Sequence, residues 1–157
     1  METFMPLSAC RSTRVQISTQ RPTEFIDLTD LMARVVVESG VRTGILNIQS
    51  LHTTTAIVIN EHEPLLLTDF EALLERTAPQ FAAYRHDDNH ARTVNLTAAE
   101  RPNGHAHCRA LFLPSSLCLN ISDGHLALGT WQRIFLLELD GPREREISLV
   151  LVGEGRS

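Results

Sequence analysis

Lysine is absent from this 157-residue chain, so all fourteen of its basic side chains are arginines. Set against nineteen Asp and Glu they leave a net charge of −5. No basic patch gathers them, which argues against indiscriminate binding to a nucleic-acid backbone. Long apolar runs are missing as well. Stretches such as Ile134–Leu137 end after four or five residues, whereas a membrane-spanning helix needs about 20. Cysteine is scarce and odd in number: Cys10, Cys108 and Cys118 have no CxxC spacing. That pattern excludes a disulfide framework or thiolate metal site and fits a reducing, cytoplasmic compartment. Met1–Pro6 has neither a basic start nor an apolar run, so no signal peptide is expected. Neither a GxGxxG nor a P-loop pattern occurs, which removes the commonest nucleotide-binding readings.

What remains has the composition of a globular chain, 43% hydrophobic and 21% charged. It shows no repeat or linker, so residues 1–157 read as one domain. Arg14 to Thr19 alternates in the manner of a half-buried strand. From Asp27 the apolar spacing becomes helical through Leu28, Leu31, Met32, Val35 and Val36, and Ser39-Gly40 stops it. The β-branched stretch from Thr43 to Asn60 predicts two strands bent near Ser50-Leu51. Pro64 opens a second helix with Leu66, Phe70, Leu73 and Leu74 as its inward stripe, ending before Pro79. Residues 80–104 are polar and irregular, and so long a loop is usually functional or disordered. His105 to Leu113 reads as a short helix halted by Pro114. Hairpins are expected at Asp123-Gly124 and at Asp140-Gly141-Pro142, the latter joining Gln132–Leu139 to Glu144–Val152. This succession predicts an α+β fold: a largely antiparallel β-sheet or sandwich packed by two or three helices.

Seven histidines are a rich supply, and five of them lie between His62 and His107. Imidazole is a ligand for borderline metals and the usual proton carrier near neutral pH. In a continuous strand His52 and Glu61 would stand about 30 Å apart on opposite faces, so they would serve one site only if the chain bends. His86 and His90 have i, i+4 spacing, but Asp87, Asp88 and Asn89 between them are poor helix formers. His105 and His107 point together on a strand and about 200° apart on a helix. His62 and His125 read as ordinary surface residues. Trp131, the only tryptophan, reads as a core anchor at a sheet edge.

Four motifs together carry a resemblance. They are His52-Thr53-Thr54-Thr55-Ala56 followed by Asn60-Glu61, then His86-Asp87, then His107 within Asn103-Gly104-His105-Ala106-His107, and finally Ser116 to Gly124 followed by Gly129-Thr130-Trp131-Gln132. Across about residues 13 to 153 the chain resembles the YjbQ family, small proteins described as secondary thiamine-phosphate synthase enzymes. It departs from many relatives in having Tyr84 where they have Trp, and Asn89-His90-Ala91-Arg92 where an acidic stretch often follows. The resemblance implies an α+β fold assembled as a homotrimer, with polar residues gathered in clefts near subunit contacts.

The implied reaction joins an aminopyrimidine-methyl diphosphate to a thiazole phosphate, and charge builds on the departing diphosphate. His52, His86 and His107 are the candidate metal or phosphate cluster, with Asp87 orienting a histidine. Three ring nitrogens favour zinc or a similar ion, whereas magnesium, suited to diphosphate chemistry, prefers oxygen ligands. Asp87, Glu61 and His105 are the candidate catalytic groups. Arg109 and Arg143 are candidates to hold phosphate oxygens, with Thr130 and Gln132 as further substrate-binding candidates. The expected partner is a small phosphorylated metabolite, with no nucleic acid and no membrane. Two other readings stay open: a non-catalytic trimeric protein binding a metal or anionic metabolite, and a metal-dependent hydrolase with Glu61 or Asp87 as general base.

Overall fold

A computed structural model of the chain describes residues 8–97 and 100–155, so Met1–Pro6 lies outside the described residues. The elements are β1 (Ser8–Ser18), β2 (Glu24–Asp27), α1 (Thr29–Ser39), β3 (Val41–Ser50), β4 (Thr55–Asn60), α2 (Pro64–Thr77), a 3-10 turn at Arg85–Asp87, α3 (Gly104–Ala110), β5 (Ser116–Ser122), β6 (His125–Leu126), β7 (Arg133–Glu138) and β8 (Glu144–Gly155). All the strand pairs are antiparallel. They form a five-stranded sheet in the order β1-β8-β3-β5-β6 and a three-stranded sheet in the order β2-β7-β4. The α+β expectation holds. No helix among the described residues is long and apolar enough to cross a membrane.

Period-two patterning drives the larger sheet. In β8, Arg145, Ile147, Leu149 and Leu151 are buried while Glu146, Ser148 and Val150 are less so. The buried row meets Leu46 and Ile48 of β3, Met32 and Val36 of α1, and Ile134 and Leu136 of β7 in the main core. Asp27 Oδ1 accepts the Thr29 N–H at 2.9 Å at the start of α1, and Gly40 closes that helix at φ 74°. A left-handed φ of this kind is inexpensive only without a Cβ.

The smaller sheet is covered on both faces, which is why β7 reads as an apolar run without alternation. Leu137 and Leu139 pack on its second face with Ala56 and Ala106, against Leu74 of α2. Glu63 accepts the N–H groups of Leu65 and Leu66 at 2.9 and 2.8 Å and so caps α2. The inward stripe expected of α2 is weaker than predicted. No residue of that helix is fully buried, and Leu73 is 52% exposed.

Two further expectations change. The hairpin predicted at Asp140-Gly141-Pro142 is a corner between sheets, because β7 pairs with β2 and β4 while β8 pairs with β1 and β3. Gly141 is required there, since a Cβ would lie 2.2 Å from the Arg21 carbonyl oxygen. Trp131 is 70% exposed and anchors no core. Strand β2 adds to the expected elements, since four residues are too short to show a period.

Candidate functional site

The corner between the sheets builds the floor of a cleft. Glu138 ends β7 and is fully buried, and Arg145, one residue into β8, is 5% exposed. Arg145 Nε donates to Glu138 Oε2 at 2.6 Å, and Nη2 donates to Oε1. The carboxylate also accepts the Thr19 hydroxyl at 3.0 Å and the N–H groups of Leu139 and Asp140 at 2.9 and 2.8 Å. A buried ion pair is tolerated when its remaining hydrogen-bonding capacity is met in this way. Arg145 Nη2 reaches on to Thr54 Oγ1 at 3.0 Å, which ties down the β3–β4 loop that carries His52.

His52 sits in that bend, not in a continuous strand, so its separation from Glu61 is not that of an extended chain. The His52 N–H donates to Ser50 Oγ at 3.2 Å, and its Nε2 accepts the Glu146 N–H at 2.7 Å. A neutral imidazole that accepts at Nε2 carries its proton on Nδ1. Burial, reinforced by the charge of Arg145, lowers the His52 pKa. The ring is therefore an uncharged Nδ1–H donor.

The facing wall is α3 with the 3-10 turn before it. Asp87 Oδ1 accepts the N–H groups of Asn103 and Gly104, each at 2.9 Å. It thus caps the start of α3 and does not orient a histidine, because unpaired N–H donors at a helix start favour a carboxylate. Gly104 lets Tyr84 come close, since a Cβ there would lie 2.4 Å from Tyr84 Cβ. Being helical, α3 sends its two histidines different ways. His105 is 4% exposed and sits near the Tyr84 ring, with centroids 6.5 Å apart. His107 faces His86, with centroids 4.6 Å apart. Burial lowers both pKa values, helped by Arg109 for His105 and by His86 for His107.

His52, His86 and His107, from three separate segments, line one cavity of about 640 Å³ together with Arg92, Arg143 and Arg145. Two carboxylates, Glu100 and Asp140, also line it. Arg143 Nη2 lies 2.7 Å from Asp140 Oδ2, and Arg92 Nη1 lies 2.9 Å from Glu100 Oε2. Asn103 Nδ2 steadies Asp140 at 3.0 Å. Each of the three guanidiniums has a carboxylate partner, Glu138 for Arg145 included, so what the wall offers an anion is the remaining guanidinium N–H groups and the uncharged His52 donor.

The same residues fit a metal ion poorly. His52 has committed its Nε2 lone pair to a backbone N–H and carries a proton on Nδ1. His86 and His107 are adjacent, and Glu100 Oε1 lies 3.8 Å from His86 Nε2, but the other oxygen of that carboxylate is held by Arg92. Among the described residues no group of three or more His, Cys, Asp or Glu side chains is arranged to hold an ion. His86 Nε2 and Asn103 Oδ1 are buried without a hydrogen-bond partner.

The remaining candidates lie elsewhere. Arg109 is 3% exposed, and its guanidinium is occupied by the Ala78 carbonyl at 2.9 Å, Thr23 Oγ1 at 3.2 Å and Glu75. It binds α3 to the end of α2 and does not line the cavity. Glu61 is exposed beyond Asn60, at the end of β4 away from His52. Thr130 and Gln132 are exposed just before β7, at the opposite end of that strand from Glu138. Gln132 Oε1 accepts the Gly129 N–H at 2.8 Å. His90 lies in a loop, so the i, i+4 pair with His86 does not form. Arg92, Asn103, Asp140 and the Glu138–Arg145 pair were not anticipated. The alternation of β8 did hold one signal, for it placed Arg145 in the same row as Ile147, Leu149 and Leu151.

Comparison with known proteins matches residues 13–154 to a family model described as UPF0047 protein YjbQ-like. A UPF0047 protein of Methanothermobacter thermautotrophicus is 42% identical over 140 residues, covering 88% of this chain and 89% of the relative. One from Archaeoglobus fulgidus is 41% identical over 131 residues, covering 83% and 93%. A crystal structure of a YbjQ-like protein of unknown function from Sulfolobus solfataricus is 35% identical, with a TM-score of 0.83 over 94% of this chain and 99% of that one. A YjbQ/UPF0047 structure from Clostridium acetobutylicum is 34% identical, with a TM-score of 0.77 over 88% and 98%.

Proposed function

The chain belongs to the UPF0047 family of YjbQ-like proteins, and on that premise we propose that its cleft binds a small phosphorylated metabolite and supports transfer of the thiamine-phosphate synthase type as a secondary activity. The observation that carries this reading is the convergence of His52, His86 and His107 with Arg92, Arg143 and Arg145 on one cavity.

In such a transfer the bond from the pyrimidine methylene carbon to the diphosphate oxygen breaks, and its electron pair leaves with the diphosphate. The thiazole ring nitrogen gives its lone pair to that carbon. No protein nucleophile is needed, so the protein contributes positioning and charge stabilisation. Arg143 is the donor for the diphosphate oxygens and His52 Nδ1–H adds an uncharged one, while Arg92, held by the Val94 and Asn95 carbonyls and by Glu100, shapes the wall. Asp140 and Glu100 hold the two guanidiniums in place before substrate arrives. Zinc or magnesium assistance would need oxygen or nitrogen donors beyond those the described residues bring together. Homotrimeric assembly belongs to the same proposal. It is supported by Trp131, Leu111 and Phe112, which are apolar yet 70%, 80% and 72% exposed in one chain.

The test is calorimetric titration with inorganic pyrophosphate, with and without zinc or magnesium, alongside complementation of a thiamine-phosphate synthase deletion. Pyrophosphate binding weakened at least about ten-fold by Arg143→Ala, as expected for a lost charge-assisted contact, together with growth on overexpression, supports the reading. Absence of pyrophosphate binding under every condition overturns it. Binding without growth moves the cleft to a different phosphorylated metabolite.

A further inference from the structure

A second cavity of about 540 Å³ adjoins the first, and the two share Leu51, His52, Thr53 and His107 as a common wall. Their chemistry differs. The first presents three guanidiniums, whereas the second has no Asp, Glu or Arg among the described residues of its lining. Its surface is the amide of Gln49, the hydroxyls of Ser50 and Ser115, and the aliphatic groups of Ala110 and Leu111. The hydroxyls divide in the same sense: Thr54 bonds Arg145 on the charged side, while Thr55 pairs with Ser50 on the neutral side.

We infer that the cleft is two-lobed and takes an organic phosphate or diphosphate ester, with the anionic group in the arginine lobe, the uncharged organic group in the neutral lobe, and the ester oxygen at the wall formed by His52 and His107. This inference rests on the phosphate reading above and names its substrate class. An uncharged organic group gains by leaving water for a lobe that holds no competing charge. The linking oxygen carries no hydrogen and only accepts, and the Nδ1–H of neutral His52 is a donor at that wall.

The probes are inorganic phosphate and phenyl phosphate, titrated into the full chain. Phenyl phosphate is expected to bind about ten-fold more tightly, an increment within reach of burying one ring. Ser115→Trp fills the neutral lobe from an exposed position and should bring that ratio close to one with inorganic phosphate unaffected. Gln49→Trp, also exposed, is the second filling variant should Ser115→Trp fold poorly. Arg143→Ala should weaken both probes equally and preserve the ratio. Equal affinity for the two probes in the natural protein, or a ratio unmoved by both filling variants, overturns the two-lobed site and leaves the anion reading standing. Failure of both probes to bind overturns the anion reading, and the two-lobed site with it.

Discussion

Replacing Glu138 by Gln removes one charge from the floor of the cleft and leaves Arg145 buried without its counter-ion. The carboxylate uses both oxygens: Oε1 takes the Leu139 and Asp140 N–H groups and Arg145 Nη2, and Oε2 takes Thr19 and Arg145 Nε. An amide offers one accepting oxygen. If that oxygen keeps the Oε1 position, the new NH2 points at the Arg145 Nε–H and loses the bond. Breaking a buried pair by removing one partner costs about 3–5 kcal/mol. At roughly 2–4 °C per kcal/mol for a domain of this size, Tm should fall by about 6–20 °C. The double variant Glu138→Gln with Arg145→Met removes both charges, keeps an oxygen for the Leu139 and Asp140 N–H groups, and should lose less stability than Glu138→Gln alone. Thermal melts read the Tm shift and urea unfolding followed by circular dichroism reads the free energies, with unchanged m-values showing that the folded and unfolded states are comparable. A Glu138→Gln protein within about 1 kcal/mol of the natural one, or a double variant less stable than the single, would refute the assignment of this pair as the clamp joining the sheets.

Other outcomes follow from the same geometry. Asp87→Ala strips the start of α3 of its acceptor and should cost about 1–2 kcal/mol, while Asp87→Asn keeps an oxygen and should cost less; thermal melts rank the two. Gly104→Ala places a methyl 2.4 Å from Tyr84 Cβ and should be destabilising, and Tyr84→Gly in the same chain, which removes that Cβ, should recover part of the loss in a double-mutant comparison. Because His52, His105 and His107 have lowered pKa values in the fold, the unfolded chain takes up protons first as pH falls. Stability should therefore be full above about pH 6.5 and decline below it. A Tm that stays flat or rises between about pH 7 and pH 5 would contradict the neutral state assigned to these rings.

Local signals in the chain are strong where one residue's chemistry decides the outcome. The Ser39-Gly40 stop, Pro64 at the start of α2 and the Asp123-Gly124 turn are all where their backbone preferences put them. Motif positions also singled out the three histidines that share a cavity, although the fold alone shows how the Ser50–Thr55 bend turns His52 toward α3. The parts that were not legible are long-range. A turn sequence such as Asp140-Gly141-Pro142 serves a hairpin and a sheet-to-sheet corner equally well, and only the strands paired with β7 and β8 distinguish the two. Arg109 and Asp87 looked like functional charges because their type suits catalysis. Their roles, tying α3 to α2 and capping α3, depend on groups 31 and 16 positions away in sequence. The Glu138–Arg145 clamp was hidden for the opposite reason, since a single carboxylate at the end of an apolar strand resembles a strand terminus.

The most direct test of the account is nitrogen-edited NMR of the seven imidazoles during titration with inorganic pyrophosphate. Resonances of His52, His86 and His107 should move together along one binding curve, with His52 protonated at Nδ1 throughout, while His62 and His125 stay in place. Saturable binding that leaves those three rings unmoved, or that shifts His62 or His125 in their stead, would contradict the claim that this cleft is where the anion goes.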